Sequence, residues 1–91
     1  MGGEVSIHCT RGDTNITCLV KWGANYIYND PDPVFAKQVK APNGYIFTRC
    51  TTEGNVTSKI DDDGATATIF GIPTGGCGGR GTVILHFQSS V

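Results

Sequence analysis

Charge is what this chain is shortest of. Only 16% of its 91 residues are charged and the formal net charge is -1, against about 25% charged residues in an average globular domain. The seven lysines and arginines stand singly along the sequence. No basic stripe exists to track a phosphate backbone or lie on an anionic bilayer, so nucleic acid and membrane surfaces are not expected partners. No apolar run approaches the roughly 18 residues that cross a bilayer, and no basic segment followed by an apolar one opens the chain. A leader is therefore expected to have been removed, leaving residues 1–3 as an added or flexible start and 4–91 as one domain. The string from Met1 to Ser6 also fits an N-myristoylation pattern. An acylated cytosolic protein, however, would have no use for the cysteines described next.

Two further absences narrow the class. Nowhere do apolar residues recur at i, i+3, i+4 and i+7 over three turns, which excludes a helix of more than one or two turns. No C-x-x-C pair occurs among the four cysteines, so a zinc site would need thiolates converging from four separate segments, and disulfides in a secreted domain are the better reading.

What is abundant is glycine, 13 residues, roughly twice the usual share and the mark of a turn-rich β protein. The most informative stretch is CTRGDTNITC, residues 9–18. Cys9 and Cys18 bracket a turn in which Asp13 and Thr14, taken as the two loop residues, set the cysteines opposite each other. Arg11, Gly12 and Asp13 form the tripeptide that integrin-type receptors read, on a turn that would throw a cation and an anion to opposite sides. Asn15 opens an Asn-X-Thr sequon, and Asn55 opens another. Both agree with secretion and glycosylation.

Along the chain, period-2 alternation predicts strands over 4–9, 16–22, 34–39, 45–51, 66–72 and 82–88. Residues 23–33 are turn chemistry interrupted by Tyr26, Ile27 and Tyr28, Pro42-Asn43-Gly44 is a hairpin turn, and residues 54–64 are polar. Six short strands predict an all-β, antiparallel two-sheet sandwich or small barrel, with Val5, Ile7, Val20, Trp22, Phe47, Ile69, Val83, Leu85 and Phe87 inward.

Several constellations invite a chemical reading. Gly76-x-Gly78-x-x-Gly81 matches a dinucleotide fingerprint as a string, but a β-branched strand follows where a helix is needed, so no cofactor is implied. Its better reading is a glycine-lined loop that brings Cys77 close to another strand's backbone. Asp61, Asp62 and Asp63 could offer oxygens to a hard cation, yet successive aspartates diverge in a turn, so no metal is assigned. His8 and His86, with Glu4, Glu53 and Arg49, could compose a two-histidine acid/base site, but nothing in their spacing selects them, and no catalytic residue is assigned. A small hydrolase or ribonuclease stays in reserve behind a non-enzymatic reading. Trp22, Tyr26, Tyr28 and Phe35 cluster between the second and third strands. Trp22 is expected in the core, and the tyrosines either cover one end of the sandwich or meet a partner.

With six strands in two antiparallel sheets, a cysteine ending the first strand (Cys9) and another near the fourth (Cys50), the chain resembles the MAX effectors of plant-pathogenic fungi. The resemblance implies a secreted virulence protein without catalytic residues that binds a host protein, often through an exposed strand edge, and the chain is expected to be a monomer. The extra pair, Cys18 and Cys77, departs from that pattern. Cys9 to Cys50 with Cys18 to Cys77 is the preferred connectivity because each bridge then joins distant segments and closes a long loop, and Cys9 to Cys18 with Cys50 to Cys77 is the rival. The third strand is the candidate edge, with Lys37, Val39 and Lys40 as partner-binding residues beside Tyr26 and Tyr28. Arg11 to Asp13 would be the contact if the protein were instead a receptor-binding module.

Overall fold

The computed structural model describes residues 5–23, 35–72 and 78–90. Among the described residues there are seven strands and no helix: β1 (Val5–Arg11), β2 (Asn15–Trp22), β3 (Ala36–Lys40), β4 (Tyr45–Gly54), β5 (Val56–Ile60), β6 (Thr66–Gly71) and β7 (Gly79–Ser89). They form a four-stranded sheet in the order β1-β2-β7-β4 and a three-stranded sheet in the order β3-β6-β5, every pairing antiparallel. The sheets do not close into a barrel, so of the two architectures expected the open sandwich is the one formed.

The core lies between the sheets and follows from alternation. Ile16, Cys18, Val20 and Trp22 face inward from β2; Val83, Leu85 and Phe87 from β7; Phe47 from β4; Val56 from β5; Ala67 and Ile69 from β6. Seven of the nine expected core residues are buried. Ile7 is half-buried against the core, and Val5 is 38% exposed. Both lie on β1, an edge strand that packs chiefly on β2, so alternation there selects a face without covering it.

The additional strand, β5, lies in the stretch 54–64 whose composition predicts a polar connection. Its sequence, Val-Thr-Ser-Lys-Ile, offers only two apolar side chains, and only Val56 is buried. It exists because β4 runs straight into it. Gly54 takes φ +87° and lies so close to Arg80 that a Cβ there would sit 2.5 Å from the Arg80 carbonyl oxygen, and this tight bend carries the chain from one sheet to the other. β7 likewise begins three residues before the expected start. Gly79 is already in the ladder opposite Trp22, and a Cβ there would stand 2.3 Å from the indole Cζ2, so the missing side chain makes room for the only tryptophan.

The first hairpin has the expected register. Cys9 is opposite Cys18, and the Gly12 amide donates to the Asn15 carbonyl at 2.7 Å around Asp13 and Thr14. Neither Asp13 nor Thr14 has a positive φ, and Gly12 is not left-handed either, so this is not one of the primed turns that a Gly-Asp pair suggests. The disulfide joins Cys9 to Cys18, with Cα atoms 4.0 Å apart, near the spacing of the narrow pairs of an antiparallel ladder. This overturns the preferred connectivity. Cys50 stays a free thiol, Cys18 has no sulfur valence left for Cys77, and Cys77 itself lies outside the described residues. Loop length favours long bridges entropically, but a hairpin places two sulfurs together before any distant strand arrives.

Candidate functional site

Four sheet edges are available in a two-sheet sandwich, and they differ here. β4 and β5 are joined through the Gly54 bend, so their edges lie together on one side. Among the described residues β1 and β3 are the open edges: β1 pairs there with β2 alone and β3 with β6 alone. β3 is anchored beyond both its ends, since Phe35 O accepts from Gly71 N at 3.1 Å and Ala41 N donates to Ala65 O at 2.8 Å. Lys37 stands opposite the buried Ile69 and Val39 opposite Ala67, which puts a charge on the inner face at the rim beside a half-buried valine. Lys40, opposite Thr66, is exposed. An inward-facing lysine is a device that blunts indiscriminate edge pairing. Tyr26 and Tyr28 lie outside the described residues.

The Arg-Gly-Asp tripeptide is divided by the fold. Arg11 is the last residue of β1, and its guanidinium carbon sits 5.7 Å from the centroid of the Phe87 ring, while Tyr45 meets the same ring edge-on at 5.2 Å. The cation therefore leans on an aromatic that closes one end of the sandwich, while Arg11, Gly12 and Asp13 all remain exposed. Of the two sequons, Asn55 is exposed at the β4–β5 bend and Asn15 is half-buried at the start of β2.

The outer face of the larger sheet gathers most of the remaining chemistry. Register places His8, Leu19, Thr82 and Glu53 in one row across β1, β2, β7 and β4. His8 and Glu53 share a shallow cleft of about 420 Å³ with Ser6, Lys21 and Arg80, floored by Leu19, which is 55% exposed. Three strand spacings separate the histidine from the carboxylate, about 14 Å. His86 lies two strands and four residues from His8, about 16 Å away by the same spacings, and is paired instead with Arg49. An acid/base couple needs its groups within hydrogen-bond reach of one reacting atom. The two-histidine arrangement is not assembled by this register, and Glu4 lies outside the described residues.

No family model matches the chain, and neither a curated protein nor a solved structure matches it.

Two residues that sequence reasoning passed over stand out. Lys21 and Arg80 are direct cross-strand partners on the outer face, where like charges destabilise a ladder. Among the described residues neither forms an ion pair. They also wall a second cleft of about 330 Å³ at the end of the sheet, together with Trp22, Asn55, Gly78 and Gly79. Trp22 is 5% exposed, meets Phe35 edge-on at 5.6 Å, and its buried Nε1 has no hydrogen-bond partner. No signal in the sequence pairs residue 21 with residue 80, because that pairing exists only in the β2–β7 register. The other end carries Asp61 to Asp63 in the β5–β6 turn, where the Asp63 carboxylate accepts from the Ala65 amide at 2.9 Å. Among the described residues no three metal-ligating side chains converge.

Proposed function

We propose that this protein is a secreted, non-catalytic binding domain that takes an extended segment of a partner protein onto the outer edge of β3. One observation carries the reading: among the described residues β3 is paired on one side only, while hydrogen bonds beyond both of its ends hold it in place. An anchored edge presents its free N–H and C=O groups without a further ordering cost, so an incoming strand gains backbone hydrogen bonds there, and alternate side chains supply selectivity. Lys37 and Lys40 bias the choice toward acidic segments, and Val39 offers an apolar contact between them. The hairpin disulfide suits an oxidising compartment, and Asn55 is the more accessible sequon. The bridge from Cys9 to Cys50, on which the resemblance to MAX effectors leaned, is not formed. What still favours a host-directed effector of that kind is the two-sheet β outline together with the open edge.

The test is selection of extended peptides from a displayed random library against the folded domain. Binders should be enriched in acidic and β-branched residues, weaken with Lys37→Glu, and be lost with Gln38→Pro, which removes an N–H on the open side of β3, while the circular dichroism of the domain is unchanged. Binders indifferent to both substitutions, or unfolding of the Gln38→Pro variant, would overturn the proposal.

A further inference from the structure

The two sheets differ by one strand. Counted from the side where the Gly54 bend joins β4 to β5, the larger sheet runs β4-β7-β2-β1 and the smaller one β5-β6-β3. Stacked sheets keep their strands roughly aligned, so β7 covers β6 and β2 covers β3. Trp22 on β2 accordingly meets Phe35, the residue before β3, edge-on at 5.6 Å. β1 then overhangs: among the described residues no strand of the smaller sheet lies opposite it.

The side chains of β1 match this overhang. Val5, Ile7 and Cys9 stand opposite the inward-facing Trp22, Val20 and Cys18, so they belong to the inner face of the larger sheet. Yet Val5 is 38% exposed, Ile7 is only half-buried and Cys9 is exposed, while Trp22, Val20 and Cys18, one strand further in, are all buried. Alternation has placed two aliphatic side chains and a disulfide on a face that the second sheet does not reach. On the rim of that second sheet, the inward-facing Lys37 is exposed and Val39 is half-buried.

We infer that the partner strand added to β3 also lies beneath β1 and becomes the fourth strand of the smaller sheet. A strand hydrogen-bonded to the open side of β3 sits about 4.8 Å beyond it and about 10 Å from the larger sheet, which is the lane under β1. β3 holds its backbone, and Val5, Ile7 and the Cys9–Cys18 bridge receive its inward side chains. The occupant is therefore an extended partner segment with period-2 alternation. Of its inward residues, the one beside Lys37 is acidic and the one beside Val39 is apolar, while its outward residues are free to be polar. This specifies the ligand of the β3 edge and rests on the assignment of that edge made above.

Peptides selected against the folded domain supply the probe, and isothermal titration calorimetry on the oxidised protein supplies the affinities. Val5→Ser and Ile7→Thr should each weaken binding about threefold or more, and about tenfold or more together, because each removes apolar area from the roof of the lane. Val5→Ser is at an exposed position, so the test stands even if Ile7→Thr unfolds the domain. His8→Ala, on the outer face of the same strand, should leave affinity within about twofold. Replacing the peptide's inward apolar residue by serine should weaken binding to the wild type more than to the double variant. Binding that is lost in Gln38→Pro but indifferent to Val5→Ser and Ile7→Thr would overturn this inference and leave the edge reading standing. An equal loss in His8→Ala would also overturn it, and binding indifferent to Gln38→Pro would overturn both.

Discussion

Reducing the disulfide is the perturbation whose size depends most directly on which cysteines are joined. Cys9 and Cys18 are nine residues apart. Closing a loop that short removes only enough chain entropy from the unfolded state to stabilise the fold by about 2.6 kcal/mol. A bridge from Cys9 to Cys50, 41 positions further along, would give about 3.9 kcal/mol on the same relation. The assay is urea unfolding with and without a phosphine reductant, in a background where Cys50 and Cys77 are serine so that only one bridge can respond. The expected loss is about 2.6 kcal/mol, roughly a 70-fold change in the folding equilibrium. Because β1 packs chiefly on β2, the reduced protein should also open locally: amide exchange should accelerate more in β1 than in β7. A loss above about 3.5 kcal/mol, no loss at all, or uniform acceleration across both strands would refute the reasoning.

Trp22→Ala should cost about 3 to 5 kcal/mol by chemical denaturation, since the ring is buried against Phe35 and Gly79, and a loss under about 1 kcal/mol would show that the cavity collapses or never forms. Gly54→Ala combines a left-handed backbone with a Cβ only 2.5 Å from a carbonyl oxygen, so thermal unfolding should report a loss of at least about 2 kcal/mol. An unchanged midpoint would mean that the β4–β5 bend relaxes freely. Arg11→Ala should lower stability by about 0.5 to 1 kcal/mol through its lost contact with Phe87. Asp13→Glu, at the exposed turn, should leave stability within about 0.5 kcal/mol. The reverse ranking would place the functional weight back on the tripeptide.

The β3 edge and the Lys21–Arg80 cleft were legible to different degrees, and the reason is distance in sequence. Pro33 before β3 and Pro42 after it, with lysines on and beside the strand, are local marks of an edge, and the strand order agrees. Nothing local marks residue 21 as the neighbour of residue 80. The Thr48 bulge shows the same limit within one strand. It shifts the β4 register between Phe47 and Arg49, so that Phe47 and Cys50, three residues apart, face the same side where strict alternation would separate them.

Read alone, the sequence determined the all-β class, the faces of β2, β6 and β7, the Cys9–Cys18 register and Trp22 as a core residue. Each of these depends on a period-2 pattern or on a turn spanning a few residues. Tertiary structure alone decided that β5 is a strand, that Val5 stays exposed, that the sheets remain an open sandwich, and that Cys9 takes Cys18 and leaves Cys50 free. Those outcomes depend on which strands lie opposite one another. Burial and cross-strand pairing are properties of neighbours brought together by the whole fold, and a residue's own alternation carries no record of them.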